Sequence, residues 1–351
     1  MRVCIDVLTP KHVLFYSKVK EKLERSGHTV ILTTRGYREA EQLLALKGLK
    51  AEVIGRHGGS DIYSKLIESA KRIIMLAQYV ERVKPEVCLS FSSPEMARVA
   101  FGLKIPHITA NDSPHSIFVA KLTVPLSSLL CTPWIMVDDW LKLGLCLSKE
   151  RIVAYKALDC VAWLKDFDSD RRVIEELGLT TDKPIITVRP TERQASYVSK
   201  EGVDSVELIK HIIATYPDLQ VVVLPRYEDI SYLKNALPHG AVVAERTVDA
   251  ANLLFFSHVF IGGGGTMTTE ACLMGVPSIN FFPHPVNYLE YLTGRGLLWN
   301  ATNLTDIIEL LKKILKDYDG IKKKLEKTSA ELIQSMEDPA EVIANAIKAV
   351  T

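Results

Sequence analysis

FIGGGGTMTTEACLMGVPSINFFP, residues 260–283, is the stretch on which the fold turns. An apolar run leads into four consecutive glycines, and a short helical segment follows that Gly275 and Pro277 bring to an end. One or two glycines satisfy a tight turn; four in a row mark a place where another group approaches the main chain. A nucleoside triphosphate loop is excluded, because such a loop ends in GK[ST] and this one has no lysine. A dinucleotide fingerprint sits in the first strand-to-helix turn of its domain, with an acidic residue about twenty positions later. This run lies late in the chain and its glycine spacing differs. The residues predict a strand (VFI), a glycine loop, and a helix from about Met267 to Met274 whose first N–H groups suit a diphosphate. Gly263, Gly264, Gly265 and Thr266 are the expected contacts. Glu270, expected in the first turn, can only accept hydrogen bonds, so beside a phosphate its partner would be a pair of sugar hydroxyls. The plainer alternative is a carboxylate that complements the helix dipole.

Working outward, short β-branched runs alternate with segments of helical period, the rhythm of βαβ units. In the first half these are RVCIDVL, a helix over 12–26 ended by Gly27, TVILTT, a helix near 61–83, EVCLS, a helix opened by Pro94, and IPHIT. LLCT and RIVAY are further strands. The acidic stretch KDFDSD at 165–170 marks a boundary, after which the same grammar restarts with IITVR, a helix near 204–216, QVVVLP, AVVAE, VFIG and SINFF. The expected architecture is α/β: a Rossmann-like domain over 1–165, a second over 166–336 that binds the nucleotide, and a docking helix over 337–351. Parallel sheets bind ligands at the carboxyl ends of their strands, so two such domains would face one another across a cleft.

Composition limits the partners. Lys and Arg total 43 against 42 for Asp and Glu, so no global field attracts nucleic acid, and an anion must be bound locally. The six cysteines form no CxxC pair and sit mostly in apolar runs, which reads as buried thiols in a reducing compartment. No apolar segment approaches a membrane span, and the start lacks a secretory pattern, so a cytoplasmic protein is expected. VPLSSLLCTPWIMVDDW reads as core; exposed tryptophans there would instead suit a membrane periphery or a lipid-linked acceptor. Oligomeric state is not legible.

The glycine segment is similar to the donor-binding segment of GT-B proteins, the fold of many nucleotide-sugar glycosyltransferases and of the non-hydrolysing UDP-GlcNAc 2-epimerases. In those families a glycine-rich turn touches the diphosphate and a glutamate a few residues later holds the ribose; Glu270 matches it. DVLTPKHVLFYSKVKEKLERSGHTVILTTR resembles their opening βαβ unit, including that of the bacterial transferase acting on lipid I. PKHVLF, SSPEMARVAFGLKIPHI and IGGGGTMTTEA together resemble an uncharacterised, mainly archaeal family of this fold. The epimerases differ at the reacting carbon. Thr109 stands where their HVEAG segment has glutamate, Ser92 where they have a strand-end aspartate, and Arg189 where RPTE meets their histidine. Epimerisation needs groups that move protons, so transfer is favoured over it, with a non-catalytic nucleotide-sugar binder as a third reading.

For transfer, Arg189 at a strand's carboxyl end, and Arg226 after VVVLP, are candidates to hold diphosphate oxygens. His12 matches a histidine that faces the acceptor in several GT-B transferases, although TPKH lacks their glycines, and its ordinary pKa suits a base. Asp112 and His115 are alternative bases. The resemblance also implies that His284 and Asn287 contact the donor sugar and that AERTVD at 244–249 reads the nucleobase. No DxD pair suits a metal-bound donor, so transfer would be metal-independent, with the nucleotide-sugar as substrate and no cofactor.

Overall fold

A computed structural model describes residues 1–145, 148–190, 203–225 and 230–350. The chain divides into two units, Met1–Lys165 with Met336–Thr351, and Asp166–Ser335.

The first unit is a parallel sheet in the order β3-β2-β1-β4-β5-β6-β7. Its strands are β1 (Arg2–Asp6), β2 (Thr29–Gly36), β3 (Glu52–Arg56), β4 (Val87–Phe91), β5 (His107–Ala110), β6 (Leu129–Pro133) and β7 (Ile152–Tyr155). Helices cover it, so the central strands are buried on both faces; β1, β4, β5 and β6 are almost wholly inaccessible. Helix Pro10–Arg25 starts where Thr9 caps the His12 N–H and Pro10 needs no partner, and stops at Ser26 before Gly27 turns left-handed at φ +82°. The last helix, Pro339–Ala346, is capped by Asp338 and packs on that first helix, with Lys22 paired to Asp338 at 2.9 Å.

The second unit orders its strands β10-β9-β8-β11-β12-β13, also all parallel. They are β8 (Ile185–Arg189), β9 (Gln220–Val223), β10 (Ala241–Val243), β11 (Val259–Gly262), β12 (Ser278–Asn280) and β13 (Trp299–Asn300). Ile186, Val188, Val221, Ile261 and Ile279 fill the core against helices Ser205–Thr215 and Leu304–Lys316.

Two strands had no counterpart in the sequence reading. EVIGR forms β3 at a sheet edge with only Ile54 fully buried, so it lacks the apolar run that announces a strand. β13 is two residues long. The polar region from 303 onward is two helices, Leu304–Lys316 and Tyr318–Gln334, parted at Asp317. Trp140 is fully buried and donates from Nε1 to Thr132 Oγ1 at 3.0 Å, and Trp134 is half-buried, so the apolar segment of residues 124–140 belongs to the core. Five cysteines, Cys4, Cys88, Cys131, Cys160 and Cys272, are buried; Cys146 lies outside the described residues. Burial pushes the Cys131 and Cys272 thiols up to about 12. No described helix is long and apolar enough to cross a membrane.

Candidate functional site

In the second unit the chain winds from β8 toward β9 on one side and resumes at β11 on the other. The gap between the carboxyl ends of β8 and β11 is therefore a topological switch point, where open α/β sheets bind ligands. The glycine run occupies it. Register pairs Gly262 with Arg189, and the Gly263 N–H donates to the Arg189 carbonyl at 3.1 Å.

The four glycines are not equivalent. Gly262, Gly263 and Gly264 are buried, whereas Gly265 and Thr266 are half-buried. A Cβ on Gly262 would lie 2.5 Å from the Phe260 ring, and one on Gly264 would lie 2.9 Å from the Phe282 ring with φ at +76°. These two positions exclude side chains through packing and backbone conformation. The opening is at Gly265, Thr266 and Met267, which are half-buried and whose N–H groups donate to no acceptor among the described residues. Gly265 is the N-cap of the helix and has no side chain to satisfy them. That helix runs Thr266–Leu273, so Glu270 is its fifth residue and stands in the second turn, a correction to the first-turn placement. It lies about 6 Å along the axis from the helix start and is 1% exposed. Thr268 is fully buried and its hydroxyl has no partner among the described residues.

Arg189 directs Nη1 to the carbonyls of Leu224 (3.1 Å) and Pro225 (2.7 Å), which follow β9. The guanidinium thus spans two strand ends beside the glycine turn. Arg226 lies outside the described residues, as do Thr191 and Glu192 of the RPTE segment. The loop after β12 is joined to the same place: Phe281 N–H donates to the Gly262 carbonyl at 3.0 Å, and Phe282 packs on Gly264. His284 is exposed and meets the Phe282 ring edge-on at 5.5 Å, while Asn287 opens helix Asn287–Gly294 and is half-buried.

The first unit has its own switch point, between β1 and β4. His12 reaches it from the third position of helix Pro10–Arg25 and stacks on Phe91 at the end of β4, ring centroids 4.9 Å apart and 19° from parallel. Its Nδ1 accepts the Leu8 N–H at 3.2 Å. Burial, then the charges of Lys11 and Arg35, lower its pKa to about 3, so the ring is neutral at physiological pH. Asp112, after β5, is held by Lys11 Nζ at 2.5 Å, and the same ammonium reaches Asp159 at 2.7 Å. Tyr155 donates to Asp159 at 2.5 Å. Burial, opposed by Lys11, raises Asp159 to about 6, whereas Lys11 outweighs burial at Asp112 and lowers its pKa. His115 is exposed, and partial desolvation lowers its pKa.

A second buried charge network lies beneath. Arg72 grips Asp6 through both terminal nitrogens, at 2.6 and 3.0 Å, and reaches Glu95 at 3.5 Å. Ser92, where the epimerases have aspartate, adopts φ +53°, and its N–H donates to Thr109 Oγ1 at 3.2 Å. The structure therefore gathers His12, Asp112, Lys11 and Asp159 in the first unit, and Arg189, Gly265, Thr266, Glu270 and His284 in the second. Lys11, Asp159 and Arg72 were missed. Lone charges inside apolar runs, such as Asp159 in ALDCVAWL, were the available signal. Among the described residues no group of His, Cys, Asp or Glu side chains is placed to hold a metal ion.

An uncharacterised protein of Methanocaldococcus jannaschii, MJ0665, is 28% identical over 325 residues, covering 91% of this chain and 93% of the relative. Among solved structures, S. aureus MnaA with UDP superposes with a TM-score of 0.74 at 17% identity, over 99% of this chain and 96% of the other. The Methanocaldococcus jannaschii UDP-GlcNAc 2-epimerase in complex with UDP-GlcNAc and UDP gives 0.70 at 17% identity, over 100% and 99%. Spinosyn forosaminyltransferase SpnP gives 0.65 at 15% identity, over 100% and 99%. The fold is GT-B, shared with UDP-GlcNAc 2-epimerases and glycosyltransferases. Residues 1–349 match the family described as "Protein of unknown function (DUF354)", and the chain belongs to that family.

Proposed function

We propose that this protein binds a nucleoside diphosphate-sugar in its second unit and transfers the sugar to an acceptor hydroxyl. The observation that carries this reading is the N–H array of Gly265, Thr266 and Met267 at the β8/β11 switch point, without acceptors among the described residues, followed by the buried Glu270 on the same helix. Amides at a helix start favour phosphate oxygens, and a carboxylate further along the axis accepts from ribose hydroxyls. Arg189 neutralises charge on the departing diphosphate, and His284 and Asn287 line the sugar end. His115, exposed and neutral at physiological pH, takes the acceptor proton. Asp112 is the weaker choice because Lys11 stabilises its ionised, poorly basic form.

Likeness to the epimerases supports a second reading, in which the same bound nucleotide-sugar is inverted at a sugar carbon. Thr109 argues against it, since it is fully buried, carries no carboxylate and accepts from Ser92. Product analysis separates the two. UDP-GlcNAc and other nucleotide-sugars, each incubated with and without an acceptor panel, should release nucleoside diphosphate only when an acceptor is glycosylated. Formation of an epimeric nucleotide-sugar without acceptor would exclude the transferase.

A further inference from the structure

His12 was read from the sequence as a base, and its surroundings suit a different task. The Leu8 N–H points at Nδ1, so the lone pair of the neutral ring lies on Nδ1 and the proton on Nε2. Stacking on Phe91 fixes the ring plane, and within that plane a 180° flip would give up the Leu8 hydrogen bond. Nε2 has no partner among the described residues and is not a buried atom. A nitrogen in this state offers a proton and has no free pair with which to accept one.

The charges around it favour an anionic oxygen as the recipient. Lys11 on its own helix and Arg35 at the end of β2 are the cations that bear most strongly on the ring, against Asp6 of β1 and Asp112 after β5, with Asp159 also paired to Lys11 at 2.7 Å. No acidic residue lies in the first turn of the 16-residue helix, whose N-terminal dipole adds to the positive field.

We propose that His12 is a fixed hydrogen-bond donor, presenting Nε2–H to a negatively charged phosphoryl or carboxylate oxygen of the acceptor substrate. The donor role rests on the transferase reading; the tautomer does not. Proton abstraction then falls to another group, and the acceptor class narrows to molecules bearing such an anion near the hydroxyl that is glycosylated.

The test uses the full-length chain with 15N-labelled histidine. The His12 resonances should show a protonated Nε2 and an unprotonated Nδ1, unchanged from about pH 8 to pH 5. Added inorganic phosphate should shift the Nε2 signal of His12. An Nδ1–H tautomer, a titration midpoint near the ordinary histidine value, or no response to phosphate overturns the proposal. In transfer assays His12→Gln, whose amide can still donate from the same place, should stay within about threefold of wild type. His12→Ala should lose about 10- to 100-fold in kcat/KM. Equal losses in both variants would mean a base. Nucleotide binding by the second unit is measured separately, so failure of the transferase reading is distinguishable from failure of this one.

Discussion

The two units share one strand order over six strands, the first adding β7, yet build their switch points from different materials. In the first, the ends of β1 and β4 lie over ion pairs: Arg72 with Asp6 and Glu95, all buried, and half-buried Lys11 with half-buried Asp112 and buried Asp159. In the second, the ends of β8 and β11 are shaped by close apolar packing around glycine, with Arg189 bonded to carbonyls. Ion pairs among the described residues of that unit, such as Arg172–Asp170 and Lys322–Glu326, each have at least one exposed partner. The same topology is thus held once by charge and once by shape, and the two should fail under different insults.

The largest effect should come from removing one buried partner. Arg72→Met leaves Asp6 and Glu95 inside without their cation and should destabilise the first unit by about 3–5 kcal/mol, read by denaturant unfolding. Hydrogen exchange should locate the loss there and leave the second unit protected. The counterpart is Gly264→Ala, which combines a strained left-handed backbone with a clash against Phe282. It should cost the second unit about 2–4 kcal/mol and spare the first. Losses spread evenly over both units would break the comparison.

Acid should separate them next. His107 in β5 is 1% exposed and its ring lies between Ser90 Oγ at 2.9 Å and Ser127 Oγ at 2.8 Å. Ser127 already donates to the Thr123 carbonyl, so it accepts from Nδ1–H, and Ser90 donates to Nε2. Burial lowers His107 to about 4, and His12 lies at about 3. Both bind protons more readily when unfolded, so their contribution is present above the ordinary histidine value and is lost as pH falls. Asp159, raised to about 6, acts in the opposite sense between its unfolded value and pH 6, because there the folded form holds the extra proton. The balance between pH 6 and pH 4 is about one proton taken up on unfolding. The first unit should therefore weaken by about 1.4 kcal/mol per pH unit on acidification. A second unit that weakens equally would contradict the assignment of buried titrating groups.

The smallest effects should be alike. Asp61→Ala in the first unit and Asp249→Ala in the second each remove a helix cap, bonded to Ser64 at 2.7 Å and Asn252 at 3.3 Å. Each should cost about 1 kcal/mol in urea unfolding. Near-equal values would place the difference between the units at their switch points and not in their helices.

How much of this was legible follows from the same contrast. The second site could be read because it is contiguous: strand, glycines and glutamate lie within one short stretch, and alternation of apolar runs gives the sheet order's rhythm. Its details were not, since which glycine packs and which opens depends on Phe260 and Phe282 filling space in three dimensions. The first site is assembled from residues far apart in the chain. Lys11 and Asp159 meet because both follow the carboxyl ends of strands in one parallel sheet and helix Pro10–Arg25 packs on helix Val161–Leu164, and periodicity carries no trace of that. The orientation of the His12 ring depends on a backbone N–H at Leu8, which sequence cannot aim.

The central claim is that the helix start at Gly265–Met267 and Glu270 form a nucleoside diphosphate site, and calorimetric titration of the full-length chain with UDP tests it most directly. Wild type should bind one UDP saturably, and Glu270→Ala should weaken that binding by about 10- to 100-fold while remaining folded. Unchanged affinity in the variant, or no binding of any nucleoside diphosphate by wild type, would contradict it.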